Sequence, residues 1–276
     1  MQTVIRVRPW YAGSSLILAL VVVGTALGGI LLPSAYAREA PSWAAQGIGQ
    51  DWVNLLVVAP SIALLAVAVG RGSRAGRLVL AGALLYVVYS FLFYAFTVHF
   101  NRFFLLYCAC LGLGFYALLA LLLELWPEPM WSGFGPRVPR RMAGGWLLAL
   151  GAAFATLWLG QVLPALGGGR DPEGSAELGL LTNPAHVLDL SFLCPLMLAT
   201  GISALRRGRL GGVMTPILLA YTVFLALAVV GNAVFLERRG VGEAMPMAAI
   251  SGAVAVLSGG LLAGFLRDLQ GSPVRR

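Results

Sequence analysis

The chain contains no lysine: all 19 of its basic residues are arginine. Without an ε-amine there is no Schiff base, so a retinal protein and a pyridoxal-phosphate (PLP) aldimine enzyme are both excluded. Charge of either sign is scarce, at 11% of residues, against about 25% in a soluble domain. There are only two histidines and three cysteines, and none falls in a Cys-x-x-Cys, His-x-x-x-His or His-Glu-x-x-His spacing. The short motifs that announce zinc or thiol chemistry are therefore missing. The formal net charge is +8, but the arginines sit in short separated turns. No long basic face is available, and no nucleic-acid partner is expected.

What remains is apolar. Hydrophobic residues make up 59% of the chain, and apolar runs recur at about 13–32, 52–70, 77–98, 103–126, 143–164, 185–205, 212–236 and 246–266. Each run is long enough to cross a hydrocarbon layer of ~30 Å as a helix. The expected fold class is an all-α integral membrane protein of about eight transmembrane helices in a lipid bilayer. Fourteen of the nineteen arginines lie on one side of this arrangement, in the groups at 6–8, 71–77, 137–141, 206–209 and 267–276. Eight of the eleven acids lie on the other. The positive-inside bias then places both termini in the cytoplasm. The first run is followed by Ala35-Tyr36-Ala37, a signal-like cleavage pattern. The run is longer than a usual signal core, so a retained helix is preferred and cleavage stays open.

Residues 51–100 and 186–235 superpose without a gap at an offset of 135 residues. The match lays Pro60 on Pro195, Tyr86 on Tyr221, and the turn Arg71-Gly-Ser-Arg74-Ala-Gly76 on Arg206-Arg-Gly-Arg209-Leu-Gly211. The chain divides accordingly into a first four-helix repeat (1–126), a cytoplasmic linker (127–142) and a second repeat (143–276). Repeats with an even number of spans insert in the same orientation, giving a pseudo-axis along the membrane normal. Pro60 and Pro195 are expected to kink their helices, since proline removes a backbone donor and clashes with the preceding turn. Gly24/Gly28 and Gly260/Gly264 are small-residue pairs suited to close helix contact.

Polar side chains are costly at membrane depth, so their positions are the best functional clue. They gather at the outer ends of the spans: Asp51 and Asn54, then His99 and Asn101, then His186 and Asp189, with Asn232 near the end of segment seven. Asp51 precedes an apolar run and fits a helix cap, as Asn183 before Pro184 does. Asp189 does not: it lies six residues past Asn183, roughly 9 Å along the axis. A carboxylate there needs a partner, a proton or a cation. His186 and Asp189 share a helix face, as do Asp51 and Asn54, and a two-fold arrangement would aim all four into one space. Tyr86, Tyr89, Tyr94 and Tyr221 are expected along its wall.

Three readings follow. The pocket binds a small molecule or ion for transport or sensing, with the histidine–aspartate pairs as proton relays. Alternatively His99, His186, Asp51 and Asp189 ligate a divalent metal such as zinc in a membrane hydrolase acting on a lipid-like substrate. In the third, the layer is a hydrogen-bond network in a non-catalytic subunit that has a membrane protein partner. The run Tyr86-Val-Val-Tyr89-Ser-Phe-Leu-Phe-Tyr94-Ala-Phe96, continued by His99-Phe-Asn101-Arg102-Phe-Phe-Leu-Leu-Tyr107, resembles a segment of uncharacterised bacterial multi-span membrane proteins. The resemblance covers segments two to four best. It implies a bacterial cytoplasmic (inner) membrane protein and no particular activity.

Overall fold

The computed structural model describes residues 10–128, 130–169, 171, 172, 175 and 178–269. Among the described residues eight helices are long and apolar enough to cross a membrane: α1 Trp10–Leu31, α2 Pro41–Gly70, α3 Arg74–Thr97, α4 Phe104–Leu125, α5 Arg140–Gly168, α6 Pro184–Leu205, α7 Arg209–Arg238 and α8 Met245–Arg267. The chain is thus built as a multi-pass membrane protein, all-helical among the described residues. Of the arginines that weigh on orientation, Arg6, Arg8, Arg170, Arg275 and Arg276 lie outside the described residues, as do the acids Glu173 and Glu177.

α3 and α7 form the centre. They hold the largest wholly buried side chains, Tyr86 and Tyr221, and cross closely at Gly82, which lies against the Ile217 carbonyl and the Tyr221 amide. Around them pack α2 and α8 on α7, α4 on α3, α1 on α2 and α4, and α6 on α5 and α7. Two glycine contacts draw backbones together. A Cβ on Gly49 would stand 2.5 Å from the Gly231 carbonyl oxygen, which fixes α2 against α7. A Cβ on Gly201 would stand 2.7 Å from the Gly144 carbonyl oxygen, which fixes α6 against α5. The small-residue pairs expected from sequence serve only in part. Gly28 receives Phe103 and Gly264 receives Pro139, while Gly24 and Gly260 face open space.

One expectation is corrected. Segment two does not begin at residue 52: α2 starts at Pro41, so Asp51 lies ten residues inside it, roughly 15 Å from its start, and is not a cap. The stretch 41–51 is too polar to read as a span, but its helix is sheltered by protein. Gly47 receives the Tyr36 ring and Gly49 the α7 backbone. Asn183, by contrast, does cap α6, accepting from the Ala185 amide at 2.9 Å.

The two prolines, where kinks are expected, share one local setting. Each follows a π-helical turn inside a continuous helix, at Asn54–Val58 and at Asp189–Leu193. A proline in a regular helix strands the carbonyl four residues earlier and collides with it. Here the ladder shifts by one just before the ring: Ala59 N–H bonds Asn54 O, and Cys194 N–H bonds Asp189 O. The extra residue absorbs the clash and bulges the helix, a deformation that favours functional sites.

The segment between α4 and α5, expected as a linker, is packed against the helix ends. It forms a 3₁₀ turn at Met130–Gly133, buries Met130 and Phe134, and ties to the end of α8 through Gly135 N–H to Asp268 O at 2.7 Å. The same arginine-rich end carries ion pairs of Arg77 with Glu124 and Glu128 at 2.8 and 2.6 Å, and of Arg74 with Glu128 at 3.3 Å. Tyr11 donates to Glu124 there and pins α1 to α4.

Candidate functional site

Two buried carboxyls organise the polar interior. Asp51 is 1% exposed. The Tyr36 hydroxyl donates to its Oδ2 at 2.6 Å and the Tyr94 hydroxyl to its Oδ1 at 2.7 Å. Gly29 is required beside it, because any Cβ there would overlap the carboxylate. Burial and then the neighbouring Asp51 carboxyl push the Tyr36 phenol well above the ordinary tyrosine range. It therefore stays a donor. Asn54 accepts from the Tyr86 hydroxyl at 3.3 Å and donates to Tyr94 at 3.4 Å. Gln50 donates to Tyr86 and, at 3.2 Å, to Ser90.

Asp189, which the 135-residue offset matches to Asn54, is held by different residues. The Trp158 indole donates to Oδ2 at 2.8 Å and the Tyr89 hydroxyl to Oδ1 at 3.0 Å. The His186 ring lies 4.9 Å from that of Trp158, tilted by 52°, and its Nε2 lies 3.0 Å from the Gln161 amide oxygen. That oxygen can only accept, so Nε2 carries the hydrogen. No basic side chain pairs with either aspartate among the described residues. Each carboxyl faces neutral donors.

The four polar residues of the expected two-fold arrangement fall into two sets with different hydrogen-bond partners. The two sets are strung along α3, where Tyr86 reaches Asn54 and Tyr89 reaches Asp189. The rings of α3 and α7 meet beside them, Tyr86 on Phe224 at 5.9 Å and Tyr89 on Tyr221 at 5.8 Å. These two contacts interchange under the 135-residue offset, which maps 86 onto 221 and 89 onto 224. The symmetry breaks in the hydroxyls. Tyr86 bonds Asn54, but Tyr221 does not bond Asp189, the residue the offset matches to Asn54. Tyr89 takes that bond from across the interface and leaves the Tyr221 hydroxyl buried without a partner among the described residues.

A buried donor left unmade costs about 1–3 kcal/mol. Tyr221→Phe should therefore leave thermal stability unchanged or raised by about 1 kcal/mol, while Tyr89→Phe, which strips Asp189 of a donor, should lower it by a similar amount. Melting curves of the two purified variants decide this. Equal losses would mean that the Tyr221 hydroxyl has found a partner.

Other expected site residues stand apart. His99 lies past the end of α3, 45% exposed at its side chain, with Nδ1 3.0 Å from Glu39 Oε1. Asn101 donates to the Ala35 carbonyl at 3.1 Å and accepts from the Phe103 amide at 2.8 Å, starting α4. Asn232 keeps a buried side-chain oxygen without a partner among the described residues. The proposed metal set of His99, His186, Asp51 and Asp189 thus falls apart into separate places. Among the described residues no three His, Cys, Asp or Glu side chains converge as ligands.

Tyr36, Trp158 and Gln161 were not anticipated. Trp158 and Gln161 had a readable signal, as an indole and a lone amide spaced i, i+3 on an otherwise apolar helix. Tyr36 had none, being in a connection. A search with protein-family models, of curated proteins and of solved structures finds no match to this chain.

Proposed function

We propose that the protein is a proton-coupled carrier of the bacterial cytoplasmic membrane. Its two parallel four-helix repeats, 1–126 and 143–276, are joined by the 127–142 segment, with both termini cytoplasmic. It moves a small molecule or ion, with Asp51 and Asp189 as proton sites near the outer face. The observation that carries this reading is the pair of buried carboxyls with neutral donors only, each on a helix interrupted by a π turn at the equivalent position. A carboxylate at membrane depth without a cationic partner needs a proton or a bound cation. The π turns give α2 and α6 a place to change register without unmaking the helix. The repeat is supported by the shared prolines, the shared π turns and the interchanging aromatic pairs.

A pH jump on proteoliposomes adsorbed to a solid-supported membrane tests this without knowledge of the cargo. Protons entering Asp51 and Asp189 should give a transient current in the natural protein. The Asp51→Asn, Asp189→Asn double variant should lose most of it. A current unchanged in the double variant, or no current in the natural protein, would overturn proton carriage. The silent outcome, combined with lowered thermal stability of the variants, would favour the second reading. In that reading the nearly complete hydrogen bonding of the layer serves packing in a non-catalytic subunit of a membrane complex.

A further inference from the structure

At the arginine-rich end, Trp131, Pro139, Arg140, Arg141, Met142 and Arg207 line a cleft of about 500 Å³. Pro139 and Met142 also begin an apolar groove that runs along α8 past Gly264, Gly260, Val256 and Gly252. Head and groove are therefore one continuous surface. Among the described residues no carboxylate pairs with Arg140, Arg141 or Arg207. The Asp268 carboxylate stands 2.5 Å from where a Cβ on Gly135 would lie and is not itself part of the lining. Arg140 donates to the Ala204 and Leu205 carbonyls, both at 2.6 Å, and so is fixed at the rim.

Comparison of the copies shows that this surface is specific to the second. In the first copy α1 packs along α4, with Phe103 seated on Gly28. In the second, α5 and α8 are joined through Trp146 Nε1 to Ser258 Oγ at 2.9 Å but otherwise touch little. The groove is what that separation leaves. The turn differs as well. Gly72 occupies the left-handed conformation at φ 88 in the first copy, and Arg207 occupies it at φ 56 in the second. Arg207 is the only non-glycine residue with positive φ among the described residues. Such a conformation is unfavourable for a long side chain and persists where the arginine is needed.

We propose that this surface holds one anionic phospholipid of the adjoining leaflet, its phosphate against Arg141 and Arg207 and an acyl chain in the α5–α8 groove. Basic pockets between spanning helices suit such headgroups, and a bare glycine face suits a chain. The assignment rests on the membrane reading above but not on proton carriage.

Native mass spectrometry of protein released from nanodiscs tests it, with phosphatidylglycerol against phosphatidylcholine. Phosphatidylglycerol should be retained preferentially. Arg141→Gln and Arg207→Gly should each lower its retention about fivefold. Arg207→Gly restores the residue that fits the turn, so its melting temperature should not fall. Gly260→Phe, whose side chain enters open space, should fill the groove and expel the lipid with every arginine intact. Equal retention of the two lipids would overturn the proposal. So would a Gly260→Phe variant that still holds phosphatidylglycerol, or displacement of the lipid by inorganic phosphate, since either would leave only an anion site.

Discussion

Asp51→Ala is expected to destabilise the protein by about 3–5 kcal/mol, far more than Asp51→Asn at about 1 kcal/mol. The alanine leaves the Tyr36 and Tyr94 hydroxyls, now at 2.6 and 2.7 Å from carboxylate oxygens, as buried donors with nothing to accept them. Each such loss costs about 1–3 kcal/mol, and the vacated volume adds to it. Asparagine keeps the volume and one oxygen, and the second phenol can turn to accept from the new amide. The two variants thereby separate two roles of the side chain. Asparagine removes the ionisable group while sparing the packing; alanine removes both. Unfolding of the detergent-solubilised variants measures the difference. Losses of equal size would show that the phenols do not depend on the carboxylate.

The fold was legible in sequence to the level of eight helices, because apolar length decides what can cross lipid. Its least legible part was the start of α2. Gln46, Gln50 and Asp51 lower the apolar content there, and nothing local announces that Tyr36 and the α7 backbone will cover them. Asp189 was legible as a residue needing explanation, since its distance past the Asn183 cap is a matter of counting. Its partners were not, because Tyr89 and Trp158 reach it from helices 100 and 31 residues away in sequence. His99 misled for a related reason. Rarity made it conspicuous, but it lies past the end of α3 and serves Glu39 in a connection. The π turns had a partial signal in Pro60 and Pro195. A proline states that the ladder must yield, and leaves open whether it yields by bending or by taking in a residue.

The second large effect is expected at the crossing of α3 and α7. Gly82 is the counterpart of residue 217 under the offset, and a Cβ on it would stand 2.6 Å from the Ile217 carbonyl oxygen and 2.9 Å from the Tyr221 amide nitrogen. Both are backbone atoms of a helix and cannot swing away. Gly82→Ala must therefore push the two helices apart, at a cost of about 3 kcal/mol or more. The separation falls beside Tyr86 and Tyr89, which reach Asn54 and Asp189. One methyl group should thus disturb both carboxyl networks together, and the proton-binding current should fall with stability. Gly112→Ala is the control: its Cβ meets nothing within 4 Å, and alanine gains up to about 1 kcal/mol over glycine in a helix. Unfolding free energies of the two variants should differ in sign. If Gly82→Ala proved as stable as Gly112→Ala, the close crossing at the centre of the fold would be wrong. The pairing of the two halves along α3 and α7 would then need to be redrawn.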